Sequence, residues 1–221
     1  MLKLLVGNKN YSSWSLRPWI LLRHFNIPVE EQYVSLNDPD FAKVVGRYSP
    51  ALRVPVLVDD GFAVWDSIAI CEYVAERHPE LAIWPRERRD RAIARSISAE
   101  MHSGFNAFRA HWPMNIRASL PGHPPQGVAA REFESICAIW TIALERSRGP
   151  FLFGEFSAAD AMYAPVVSRF VTYHATLPPA LLAYRDRLLA TDAMQEWTAA
   201  SLAESEILLD DEPYGALAGR P

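Results

Sequence analysis

Residues 53 to 70 read "RVPVLVDDGFAVWDSIAI". Two β-rich runs flank Asp59, Asp60 and Gly61, the composition of a hairpin turn, so the stretch opens as strand, tight turn, strand. A helix follows. In "DSIAICEYVAERH", Ile68, Cys71, Val74 and Ala75 share one helical face, and Asp66 or Ser67 stands ready as the cap. Pro55 at the head of a central-looking strand removes a ladder donor and needs a reason. One reason is a cis Val54–Pro55 bond, which would turn the N–H and C=O of Val54 toward an extended peptide ligand. Only about 5% of X–Pro bonds are cis, so trans is the ordinary state. Asp66 and Ser67 also have two readings. They cap the helix, or they offer a carboxylate, a hydroxyl and free N–H groups to a ligand ending in an ammonium and a carboxylate, as an α-amino acid does.

Upstream, "LKLLVG" reads as a strand, "SLRPWILLRHF" as a helix, "VEEQYVSL" as a strand and "DFAKVVGRY" as a short helix. Residues 1–78 therefore run β-α-β-α-β-β-α. At the first strand-to-helix junction, "NYSSWSLRPWI" crowds Ser12, Ser13 and Ser15 into four positions. If Ser15 caps the helix, Leu16, Arg17 and Pro18 form its first turn, where proline is tolerated, and Ser12 and Ser13 face the helix N-terminus from the loop. That end carries about half a positive charge, so a thiol bound there ionises more readily than at its free pKa of about 8.5. The alternative is that all three serines only cap the helix and solvate the loop.

Downstream, "PELAIWPRER" (residues 79–88) reads as a linker. Beyond it only helix-like segments occur, at 89–111, 127–147, 158–173, 179–190 and 193–207, so the second domain, 89–221, is expected to be all-α. In "GEFSAADAMYAPVVSRF", Ser157 and Asp160 have the Ser-x-x-Asp spacing of a capping box.

The 221 residues are half hydrophobic and carry a formal net charge of −4, with 22 basic and 26 acidic residues interspersed along the chain, which argues against nucleic acid as a partner. No apolar run approaches the roughly 20 residues that span a bilayer, and the first residues read as a strand, not a secretory signal, so a cytoplasmic protein is expected. Cys71 and Cys137 lie in apolar, helix-like segments as small buried hydrophobes. The six histidines show no metal-ligand spacing; no metal site is expected, and each histidine reads as a surface or solvated one.

The order of a serine-rich loop, Val-Pro opening the third strand, Asp-Ser before the third helix, a linker containing "WP" and an all-helical remainder resembles the cytosolic glutathione transferases. That family has a thioredoxin-like N-terminal α/β domain and an all-α C-terminal domain. "YSSWSLR" is most similar to serine-type active sites, in particular the zeta-like "SSC" loop, with Trp14 where that loop has its cysteine. The resemblance implies glutathione as co-substrate. Its sulfur would be held by the hydroxyl of Ser12, with Ser13 in reserve, its cysteinyl part by the backbone of Val54 across a cis Pro55, and its γ-glutamyl end by Asp66 and Ser67. Lys43 and Arg53 would supply the cation for its glycine carboxylate. Arg17 would either face the site or make a structural ion pair. A small hydrophobic electrophile would bind between the domains against Trp14 and at most two of Phe105, Phe108 and Trp112. The family also implies a homodimer. Two alternatives stand beside this transferase reading: a zeta-type isomerase acting on a cis-enedione, against which the missing cysteine argues, and a non-catalytic interaction module.

Overall fold

The computed structural model describes residues 1–215; the last six residues of the expected second domain, 216–221, lie outside the described residues. The first unit contains β1 (Leu2–Val6), α1 (Ser13–His24), β2 (Glu30–Tyr33), α2 (Phe41–Val45), β3 (Val56–Asp59), β4 (Phe62–Val64) and α3 (Ser67–Arg77). Its four strands are ordered β2-β1-β3-β4. β1 runs parallel to β2 with Leu4 opposite Glu31 and antiparallel to β3 with Leu4 opposite Leu57, and β4 returns antiparallel to β3. This mixed sheet with its helices is the thioredoxin-like domain expected from the β-α-β-α-β-β-α order.

Side chains alternate between the faces of a strand, and β1 and β3 use that alternation to serve two cores. Leu2, Leu4, Val6 and Leu57 join the large core that runs under α1 and α3 into the helical domain. Leu5, Val56 and Val58 point the other way, into a smaller core with Val34, Val45 and Val54.

The second unit contains α4 (Arg88–Ser103), α5 (Asn106–His111), α6 (Gly127–Ser147), α7 (Ala158–Thr172), α8 (Pro179–Leu189) and α9 (Asp192–Ala203). At its centre lies α7, buried along nearly its whole length, with alanines at 158, 159, 161 and 164 that let α1 and α4 approach closely. It starts at the expected capping box: the Ser157 hydroxyl accepts from the N–H of Ala159, and the Asp160 carboxylate accepts from the N–H of Ser157 at 2.9 Å and from the Tyr184 hydroxyl at 3.0 Å.

Three of the boundaries that differ from the sequence reading bear on the site. α1 begins three residues early, with Ser12 rather than Ser15 at the N-cap, so Ser13 and Ser15 lie inside the first turn and Pro18 is the sixth helical residue. The expected helix 89–111 is two helices, broken at Gly104 and at Phe105, whose φ of 54° lies in the left-handed region. The last helix stops at Ala203, and residues 204–215 return in mostly irregular conformation, with a short 3₁₀ turn at Leu209–Asp211, toward the loop that leads into α1.

Candidate active site

A cavity of about 860 Å³ lies between the two units. On its first-domain side stand the start of α1 (Ser12, Ser13 and Trp14), the Arg53–Pro55 segment and the junction of Asp66 with Ser67. Each comes from the end of an element, where backbone groups are not consumed by the ladder or the helix. The Val54–Pro55 bond is cis, and Val54 precedes β3 and so lacks a ladder partner. Asp66 caps α3: one carboxylate oxygen accepts from the N–H of Ile68 at 3.1 Å, and the other meets Nε2 of His102, which reaches over from α4. The Ser67 side chain is wholly buried at the cavity wall, and its hydroxyl has no hydrogen-bond partner. A buried hydroxyl left unpaired costs about 1–3 kcal/mol, which a polar ligand group in the cavity would relieve.

The Ser12 hydroxyl does not cap α1. It lies 2.8 Å from the Ser15 hydroxyl, which also accepts the N–H of Gly7 at 3.1 Å. Ser12 and Ser13 are both buried against the cavity wall.

The helical-domain side combines apolar Ala110, Pro113 and Met114 with charged groups that the sequence reading did not expect. Arg109 and Arg169 line it, and Arg17 lies fully buried behind them. Trp14 is flanked by two guanidiniums, Arg17 at 4.1 Å and Arg109 at 5.0 Å from its ring centre, and His102 meets it edge-on. The Arg17 Nε donates to the carbonyl of Met162 at 3.2 Å, while both of its terminal nitrogens are buried without partners. Arg169 donates to the carbonyls of Trp112 and Pro165. Among the described residues none of these three arginines forms an ion pair, so the structural pair considered for Arg17 is not present. Burial first, and then mutual repulsion, holds Arg17 down at about 9 and Arg169 at about 10. All three remain charged at neutral pH. The nearby Asp211 carboxyl is pushed up by burial and drawn back by Arg169. Guanidiniums without a salt-bridged carboxylate suit an anion.

Phe105, Phe108 and Trp112 do not line the cavity. They are buried in the helical core, where Phe108 and Trp112 pack against Phe170, and Trp112 stacks on Tyr173. Asn106, Arg109 and Ala110, a neighbouring stripe at helical spacing, turn to the cavity instead. Lys43 is also away from the cavity, with its exposed ammonium 3.7 Å from Asp40; Arg53 remains at the wall. His102, Arg109 and Arg169 are the lining residues the sequence reading missed. The signal available was the stripe Asn106, Arg109, Ala110, which interleaves with the aromatic one.

Comparison with known families decides what kind of molecule carries this cavity. Residues 11–77 match the glutathione S-transferase N-terminal domain and residues 86–187 the C-terminal domain. The chain belongs to the glutathione S-transferase family. The chain is 35% identical over 173 residues to the probable maleylacetoacetate isomerase of Caenorhabditis elegans, an alignment covering 76% of the chain and 78% of that relative. It is 25% identical over 189 residues to the maleylacetoacetate isomerase of Rattus norvegicus, covering 83% and 85%. A Burkholderia glutathione transferase homologue solved with bound glutathione superposes with a TM-score of 0.71 at 25% identity, over 90% of this chain and 97% of that one. The chain has, among its described residues, no cluster of His, Cys, Asp and Glu that could hold a metal ion, and no helix long and apolar enough to cross a membrane. Residues 188–215 lie beyond the family matches.

Proposed function

We propose that this protein ionises the thiol of glutathione at the start of α1 and delivers the thiolate to a small electrophile carrying a carboxylate. The supporting observation is that Ser12, Val54 with its cis Pro55, Asp66, the unpaired Ser67 hydroxyl, Arg109 and Arg169 share one cavity. Asp66 accepts the γ-glutamyl ammonium, Ser67 donates to the adjacent carboxylate, and Val54 pairs its backbone with the cysteinyl unit. Arg53 takes the glycine carboxylate, the role also expected of Lys43. Ser12 acts on the sulfur. Its hydroxyl turns toward the thiolate while Ser15, already anchored by the Gly7 N–H, donates to the Ser12 oxygen in its place. The α1 dipole and the nearby guanidiniums favour the anion, so no charged base is needed. Ser13 is the second candidate for the same role.

Arg109 and Arg169 favour electrophiles with an anionic group over the neutral hydrophobic ones expected from sequence alone. The same site supports an isomerase reading, which the named relatives favour: the thiolate adds to a cis double bond, the resulting single bond rotates, and elimination of the thiolate regenerates glutathione and a trans product. Trp14 in place of the zeta-like cysteine leaves that chemistry to the serine.

Two electrophiles with the same reactive carbon, one bearing a carboxylate and one a neutral amide, test this reading. The acid is expected to be turned over with at least about tenfold higher kcat/KM, and Arg169→Met should abolish the preference, as expected for loss of a charge-assisted contact. Equal turnover of the two by the wild type would refute an anion-selective pocket. With a cis-enedione acid, a trans product and recovered glutathione mark the isomerase; a stable conjugate marks the transferase. Light scattering tests the dimer implied by the family, with twice the chain mass expected.

A further inference from the structure

We propose that the segment following α9 is a working part of the active site, in which Glu204 is the positioning residue for the serine loop. The loop from Asn8 to Tyr11 joins β1 to α1 and cannot satisfy its own backbone through a ladder or a helix. Buried N–H groups must still be paired. One Glu204 carboxylate does this for two successive residues: Oε1 accepts from the N–H of Lys9 at 2.6 Å and Oε2 from the N–H of Asn10 at 3.0 Å. The carbonyl of Lys9 accepts from the Trp197 indole at 2.9 Å. The Asn10 side chain is held by Asn115 and by the N–H of Arg117, both at 2.8 Å. Asn8 donates to Glu206 at 2.7 Å, and the Tyr11 hydroxyl donates to Glu212 at 2.6 Å.

The segment is fixed in turn. The Arg117 guanidinium donates to the carbonyls of Glu204 and Glu206 and to the Tyr11 hydroxyl, and Ser35 donates to the Glu206 carboxylate at 2.6 Å. The path from this clamp to the chemistry is one hydrogen bond long, because the N–H of Ser12 donates to the carbonyl of Asn8 at 2.7 Å. The helical domain thus sets where the α1 N-cap lies, and Glu204 makes the only side-chain contacts to the backbone N–H groups of Lys9 and Asn10 among the described residues.

The catalytic half of this inference rests on the thiolate reading above; the structural half does not, and two readouts keep them apart. Glu204→Ala removes both acceptors. Glu204→Gln keeps the shape, retains one acceptor and turns an amide N–H₂ against a backbone donor, so it serves if the alanine variant does not fold. Amide hydrogen exchange is expected to accelerate at least about tenfold at both Lys9 and Asn10 in Glu204→Ala, and at whichever of the two faces the amide N–H₂ in Glu204→Gln, while α7 stays protected, consistent with loss of charge-assisted bonds. At saturating glutathione, the pKa of the bound thiol should move back toward its free value and kcat should fall. Unchanged exchange would overturn the clamp. Faster exchange with a wild-type bound-thiol pKa and kcat would overturn the positioning role, since a residue that merely ties down the chain end leaves both unmoved. If glutathione bound to the wild type shows no lowered pKa, the thiolate reading falls and exchange alone judges the clamp.

Discussion

Arg17 is the residue whose cost is least explained by folding. A guanidinium wholly buried with two unpaired terminal nitrogens, beside two further guanidiniums, destabilises the folded chain, and replacing such a group with an apolar one of similar volume is often neutral or stabilising by about 1–4 kcal/mol. Arg17→Met is therefore expected to leave urea-unfolding stability equal to or higher than wild type while glutathione-dependent turnover falls. A variant that loses stability and keeps full turnover would make Arg17 a structural residue. At this scale the sequence was partly readable. Pro55, Asp66 and Ser67 stand where their spacing placed them, because strand and helix ends follow from turn and capping chemistry. The pocket wall was not readable: Phe105, Phe108 and Trp112 share helical spacing with Arg109, and nothing local tells which stripe meets solvent and which the core. Lys43 was offered for its charge alone, which says nothing of direction.

Among the elements, α7 shows how far a local motif carries. The Ser157 and Asp160 spacing identified its start, and the structure forms both reciprocal bonds of the capping box. Ser157→Ala removes the hydroxyl acceptor from a buried helix start and is expected to cost about 1–2 kcal/mol in denaturant unfolding, with glutathione affinity unchanged at temperatures where the variant is folded. A loss below a few tenths of a kcal/mol would show that Asp160 alone holds the helix start. Where the reading of elements failed, a tertiary contact prevailed over local preference. α1 starts at Ser13 because Ser15 is drawn back to the N–H of Gly7, and the break at Phe105 puts its ring in the core at the expense of a left-handed backbone. The end of α9 is set by Glu204 meeting the loop at Lys9, a partner 195 residues away that no window of sequence contains.

Across the whole molecule, the two units share one core and one cavity. α1 belongs to the first domain by sequence, yet it packs against α7 and α9, and the serine loop is held from the helical domain. The order of elements and the change to an all-helical second half were legible because each rests on hydrophobic period and on Gly and Pro punctuation. The wall's charged groups and the clamp were not, since both arise only where the domains meet. The central claim is that this junction ionises a bound thiol. Its most direct test is ultraviolet titration of the thiolate of glutathione bound to wild type, Ser12→Ala and Ser13→Ala. A thiol pKa at least about one unit below the free value in the wild type, restored toward it in Ser12→Ala and largely retained in Ser13→Ala, is the expected result. Saturable binding with an unshifted pKa in the wild type would contradict the claim.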